Sequence, residues 1–110
     1  MEGCLFCKIA SGEVPASKIF DEGGFVAFLD LYPANKGHVL VIPTAHCERV
    51  EDLAAAQAQG LVLAVQRVSK ALMKSLGCPA VNILSNSGKE AGQIIPHAHM
   101  HVIPRFEKDG

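Results

Sequence analysis

Short apolar runs punctuated by Gly and Pro make up both ends of the chain. Its middle repeats apolar residues at three- and four-residue steps. Leu5, Phe6 and Ile9 give the first ten residues the pattern of a turn of helix. Residues 18–21 and 25–30 read as two strands joined across Gly23-Gly24, a dipeptide that supplies the positive φ of a tight hairpin. Residues 38–42 read as a third strand, stopped by Pro43. Over 50–76 the period becomes helical, with Leu53, Leu61, Val65, Val68, Leu72 and Leu76 on one stripe. Glu48, Glu51 and Asp52 stand at its start and Lys70 and Lys74 in its last turns, the order that the helix dipole favours. Gly77 and Pro79 end it. Residues 81–85 read as a fourth strand and 97–103 as a fifth, bracketed by Pro96 and Pro104, so the last strand either begins at His97 or lies at an edge there. Three strands, a long helix and two strands predict an α+β fold: an antiparallel sheet of about five strands with the long helix on one face.

The length of 110 residues predicts a single domain spanning 1–110, and 49% hydrophobic against 19% charged residues supplies a core. A domain this small gains from a metal site or a dimer interface. The net charge is -1 without a basic cluster, which argues against a nucleic-acid polymer or an anionic membrane as partner and leaves a single nucleotide open. Met1-Glu2-Gly3-Cys4 does not open a secretory signal, and runs such as Leu61 to Val65 fall well short of the ~20 residues of a spanning helix. The expectation is a cytoplasmic protein whose four cysteines are reduced thiols or metal ligands.

The chemistry concentrates near the end of the chain. His97, His99 and His101 alternate, so on a strand all three project from one face, roughly 6.5 to 7 Å apart, while Ala98, Met100 and Val102 point into a core. Such a row serves metal ligation, proton transfer or nucleophilic attack on phosphorus, and spacing alone leaves these open. Asp30 and Asn86 are also natural turn residues, and Gln93 reads equally as a solvated strand residue. Cys4-x-x-Cys7 is a redox pair, two buried thiols, or half of a closed tetrahedral Cys₂His₂ zinc site. Cys47 and Cys78 read as ordinary buried thiols.

Residues 92–103, Gly-Gln-Ile-Ile-Pro-His-Ala-His-Met-His-Val-Ile, carry His-φ-His-φ-His-φ-φ, with φ apolar, without a mismatch. This closely resembles the signature of the histidine triad superfamily of nucleotide hydrolases and transferases. The resemblance extends over Cys4 to Ile9, Phe28-Leu29-Asp30, Gly37 to Pro43, and Asn86 with Gly92-Gln93. It implies that His99 attacks the α-phosphorus of a nucleotide and forms a nucleotidyl-imidazole that water then hydrolyses. It implies that His101 contacts the scissile region, that His38 assists proton placement, that Asp30 binds ribose hydroxyls, and that Asn86 and Gln93 donate to phosphate. A purine nucleotide substrate, a homodimer and no catalytic metal are implied as well. Similarity to the zinc-containing bacterial members implies a structural Zn²⁺ on Cys4, Cys7, His46 and His97. If His97 holds zinc, it is withdrawn from any proton relay toward His99. Ile94 stands where nucleoside phosphoramidases commonly carry a serine, the chain holds no Trp, and it runs only a few residues past Pro104-Arg105-Phe106. The leaving group therefore stays open between AMP amidates or esters and dinucleoside polyphosphates. A nucleotide-binding or adaptor module with little catalysis, and a metal held by the triad, are the rival readings.

Overall fold

The computed structural model describes residues 3–110. Its strands are β1 (Lys18–Glu22), β2 (Phe25–Leu29), β3 (Val39–Pro43), β4 (Ala80–Leu84) and β5 (Met100–Arg105). They form one sheet in the order β1-β2-β3-β5-β4, every neighbouring pair antiparallel. A short helix α1 (Leu5–Ser11) precedes β1, and the long helix α2 (Ala55–Leu76) connects β3 to β4. The architecture is the α+β one that the sequence predicts. Gly23 and Gly24 sit at φ 66° and 87° and close the β1–β2 hairpin beside the Glu22↔Phe25 pair.

The pleat sorts side chains onto two faces. Ala27, Val39, Val41 and Val102 pack against Leu61, Ala64, Val65, Val68 and Leu72 of α2, with Leu53 and Leu76 at the rim. Their alternates Val26, Phe28, Leu40 and Ile42 pack against Phe6 and Ile9 of α1. Each fully buried aliphatic side chain contributes about 1.5–3 kcal/mol relative to exposure. α1 therefore covers the sheet face opposite α2. No helix among the described residues is long and apolar enough to cross a membrane.

Three expectations are corrected. The long helix starts at Ala55 rather than at residue 50: Val50–Asp52 form a single 3-10 turn, and Leu53 is extended, reaching the core from outside the helix. Glu48, Glu51 and Asp52 consequently precede α2, whose first turn contains no acid, and its first orphan donor, the Ala54 N–H, goes to Gln57 Oε1 at 3.2 Å. Glu51 instead pairs with Arg49 at 3.2 Å and accepts from the Ser87 hydroxyl.

The last strand begins at Met100, not His97, and lies between β3 and β4 rather than at an edge. Pro104 is inside it. Its carbonyl accepts from Asn35 Nδ2 at 2.9 Å, and its missing N–H faces the same way, past the last β3 rung at Val39↔Val102, where no ladder bond to β3 is lost. Gly37, at φ 81°, presses the 31–37 loop onto the ends of α2 and β5. A Cβ there would stand 2.5 Å from Leu76 Cδ1 and 3.2 Å from Pro104 Cγ. That close approach delivers His38 to the start of β3.

Candidate active site

His97 and His99 lie just before β5 and His101 lies within it, so the three rings are aimed by separate contacts and not by one pleat. His99 donates from Nδ1 to the carbonyl of His97 at 2.7 Å. A carbonyl only accepts, so Nδ1 carries the proton and Nε2 is left bare, without a partner among the described residues. The ring is 6% exposed, and burial pushes its pKa below the ordinary histidine value against the opposing pull of the His97 carbonyl and of Asp30. It is held as a neutral imidazole. Phe6 lies edge-on to it, with centroids 5.1 Å apart and planes at 88°.

His38 and His101 form a second constrained pair. The Ala34 N–H donates to His38 Nδ1 at 2.9 Å, which puts the His38 proton on Nε2. That proton is donated to His101 Nδ1 at 2.9 Å, so His101 carries its own proton on Nε2. His101 packs against His99 with centroids 5.1 Å apart. Burial, then the neighbouring His99 and His38, push the His101 pKa down to about 4, and burial also lowers that of His38 against the pull of Asp30. Asp30 Oδ2 stands 3.6 Å from His38 Nε2, while its Oδ1 accepts the Tyr32 N–H at 3.0 Å. The carboxylate is thus both a turn former and a charge at the site. Ligand atoms of Asp30, His38 and His101 lie within 4.8 Å of one another, a spacing that a metal can use. A metal at His38 Nε2 would need that proton moved to Nδ1, the atom to which Ala34 already donates.

Cys4, Cys7, His46 and His97 place their ligand atoms within 4.8 Å of one another. His97 Nδ1 lies 3.3 Å from Cys4 Sγ and 3.5 Å from Cys7 Sγ, and His46 Nδ1 lies 3.3 Å from Cys7 Sγ. A tetrahedral zinc with ordinary bond lengths separates its sulfur and nitrogen ligands by about 3.5 Å. His97 Nε2 donates to the Pro43 carbonyl at 2.8 Å, so Nδ1 offers a lone pair to the two sulfurs. Partial burial, then the Cys4 side chain beside it, push the Cys7 thiol up, so two thiolates here require a cation. The donor set, its tautomer and its spacing fit zinc. The His97 ring faces this cluster, and what reaches His99 is its backbone carbonyl.

The 86–93 loop divides the remaining expectations. Asn86 lies beneath Gly92, whose notional Cβ would be 3.6 Å from Asn86 Nδ2. Gln93 differs from the sequence reading of a phosphate donor. Its Oε1 accepts the Gly88 N–H at 2.7 Å, and Nε2 donates to Glu48 O at 2.7 Å and Ile95 O at 3.0 Å. Both amide protons are taken in clamping the loop. Ile94, by contrast, is 87% exposed. Sequence reasoning missed Phe6 and Ala34. Phe6 carries a signal, since it lies between the two cysteines, whereas a backbone N–H such as that of Ala34 carries none.

A model of the HIT domain matches residues 11–108. The chain belongs to the HIT family. An uncharacterised HIT-like protein of Methanocaldococcus jannaschii is 42% identical over 107 residues, covering 97% of this chain and 82% of that protein. An adenosine 5'-monophosphoramidase of Schizosaccharomyces pombe is 37% identical over 102 residues, 93% of this chain and 74% of that enzyme. Among solved structures, a zinc-bound histidine triad family protein from Mycobacterium smegmatis superposes with a TM-score of 0.94 at 37% identity, covering 98% of this chain and 78% of that one. This HIT chain carries the CxxC pair, and with His46 and His97 that pair forms a donor set that fits zinc.

Proposed function

We propose that this HIT protein is a nucleotide hydrolase that works at the α-phosphorus through a covalent intermediate on His99. The observation that carries the reading is the 2.7 Å bond from His99 Nδ1 to the His97 carbonyl, which leaves Nε2 unprotonated. Nε2 forms a bond to phosphorus, the leaving group departs with the former P–X pair and takes up a proton from solvent, and water then displaces the imidazole, returning a proton to solvent as the nucleoside monophosphate is released. As Nε2 bonds, positive charge grows on the ring, and the Nδ1–H bond to a carbonyl stabilises it. The His101 Nε2–H is a donor for the phosphoryl oxygens, kept neutral and oriented by His38, whose tautomer Ala34 sets. Asp30 offers Oδ2 to ribose hydroxyls, and Asn86 offers its amide to phosphate. AMP amidates and esters are the favoured substrates, supported by the likeness to the fission-yeast phosphoramidase. Dinucleoside polyphosphates require only a different leaving group.

Zinc on Cys4, Cys7, His46 and His97 would be structural: it supplies positive charge for two thiolates and cross-links α1 to the segment before β5. The reaction needs no triad metal in this reading, a view supported by the proton on His38 Nε2. The whole chain acts as one domain in the cytoplasm. It pairs as a homodimer, supported by Ile83 and Leu84 exposed on the edge strand β4.

The test is rapid quench of the protein with adenosine 5'-phosphoramidate, followed by intact and peptide mass analysis. A nucleotidyl adduct on the peptide bearing His99, absent from His99→Ala together with turnover, is the expected result. Undiminished hydrolysis by His99→Ala overturns the reading, and AMP binding with no release above that variant's background favours a binding module.

A further inference from the structure

We propose that the hydroxyl of Ser85 is a positioning group for His99, holding the backbone that aims the ring. The inference rests on the reading of His99 as the nucleophile, and concerns a residue whose hydroxyl proton goes to the backbone.

His99 is the first residue outside both ladders. The β4–β5 pairing runs from Ala80↔Arg105 to Leu84↔His101 and stops, and the β3–β5 pairing stops at Val41↔Met100. Continued without a break, the first register would bring Asn86 opposite His99, and a main-chain N–H would meet its carbonyl. Instead the Ser85 Oγ–H donates to the His99 carbonyl at 2.6 Å. On the other side the Ala98 N–H donates to the Cys47 carbonyl at 2.6 Å. The peptide after the nucleophile and the peptide whose carbonyl holds its ring are therefore fixed by a side chain and a loop, not by the sheet.

This matters because the ring's own bond is local. His99 Nδ1 reaches the carbonyl two residues upstream at 2.7 Å, a contact that exists only while the backbone of 97–99 keeps its present dihedrals. Ser85 constrains the downstream end of that segment. Without the hydroxyl, the His99 carbonyl loses its partner and the segment turns to find another. The bond from Nδ1 to His97 O then loosens, and the Nε2–H tautomer, which cannot attack phosphorus, becomes populated. The same arrangement releases Asn86 from the ladder and leaves its side chain against Gly92 in the loop.

The test uses Ser85→Ala and Ser85→Thr in the full chain loaded with zinc. The resting protein is read first, without substrate, by long-range ¹H–¹⁵N correlation of the His99 ring. Wild type should show the Nδ1–H tautomer alone, Ser85→Ala a mixture, and Ser85→Thr the wild-type pattern. Adduct formation from adenosine 5'-phosphoramidate should slow about tenfold in Ser85→Ala with KM within about twofold, and Ser85→Thr should recover most of the rate, because misaiming a reacting atom affects the chemical step and not binding. Should Ser85→Ala fold poorly, Ser85→Cys, a weak donor of similar size, replaces it and must show the same mixed tautomers. An unchanged ring spectrum and rate in Ser85→Ala, or a Ser85→Thr as impaired as Ser85→Ala, overturns the proposal. Either result leaves the His99 reading standing, since that reading is tested separately by the adduct and the turnover of His99→Ala.

Discussion

On the α2 side of the sheet, Val39, Val41 and Val102 meet Leu61, Val65 and Val68 in an aliphatic cluster. On the α1 side, Cys4, Phe6, Phe28 and Leu40 form the cluster, and Phe6 lies edge-on to both His97 and His99. The same strands build both faces. Apolar side chains on the first satisfy one demand, exclusion of water, and any well-packed residue of the right volume meets it. The second buries polar rings, and each must then find a partner: His97 uses Pro43, His99 uses the His97 carbonyl, and His38 uses Ala34 and His101. Those obligatory bonds choose tautomers, and the tautomers are what make chemistry possible. One face stabilises the fold, and the other uses part of that stability to hold neutral imidazoles in place.

The comparison breaks most visibly at His99. His99→Ala should reduce turnover by about three orders of magnitude or more while the melting temperature stays within a few degrees of wild type, measured by product release and calorimetry. An unfolded His99→Ala would mean that the α1 face is a core after all. Next, Cys4→Ala should lose its zinc, read by metal analysis of the purified protein, and roughly 3 kcal/mol or more of stability. His101→Ala should keep its zinc, and metal lost from that variant would place the ion on the triad. The matching change on the other face, Leu61→Ala, should cost about 2–5 kcal/mol in urea melts yet leave zinc content and activity per folded molecule unchanged.

Smaller effects sharpen the contrast through pH. The folded pKa of His101 is lowered from 6.5 to about 4, so between those values the unfolded chain binds more protons. Its contribution is full above 6.5 and is lost as pH falls toward about 4. Urea melts should show stability declining across that window, with a flatter slope in His101→Asn. Smallest is the exposed clamp at Asp109, whose pKa the Arg105 side chain and the Phe106 N–H lower from 3.8 to about 2. A depressed carboxyl stabilises above its unfolded pKa, so Asp109→Asn should lose stability at neutral pH, only a little because solvent screens the exposed pair, and should remove a stability change between 3.8 and about 2.

Much of this was legible in one dimension. The stripe from Leu53 to Leu76 packs on the sheet as its period requires, although Leu53 does so from an extended segment. The Gly23-Gly24 hairpin and the end of α2 at Gly77 follow from backbone sterics that glycine alone relaxes. The pattern of three histidines and Cys-x-x-Cys marked residues that the fold does bring together. It misassigned the element that aims them, because period two describes a strand and His97 and His99 precede one. Gln93 was marked as a donor to ligand, yet its amide binds Gly88 and Ile95 close by and Glu48 from a distant segment of the chain, the last a contact that only folding creates.

By itself the sequence determined the fold class, the two faces of the sheet and the inventory of imidazoles and thiols, because periodicity and residue chemistry are properties of neighbours along the chain. Only the tertiary structure decided which nitrogen of each histidine holds its proton, and therefore which ring presents a bare nitrogen, which presents an N–H and which offers a lone pair to the two sulfurs. The deciding partners are the carbonyls of His97 and Pro43 and the N–H of Ala34. Every residue but proline carries both groups, so nothing in the amino-acid code distinguishes the ones that matter until the chain has folded.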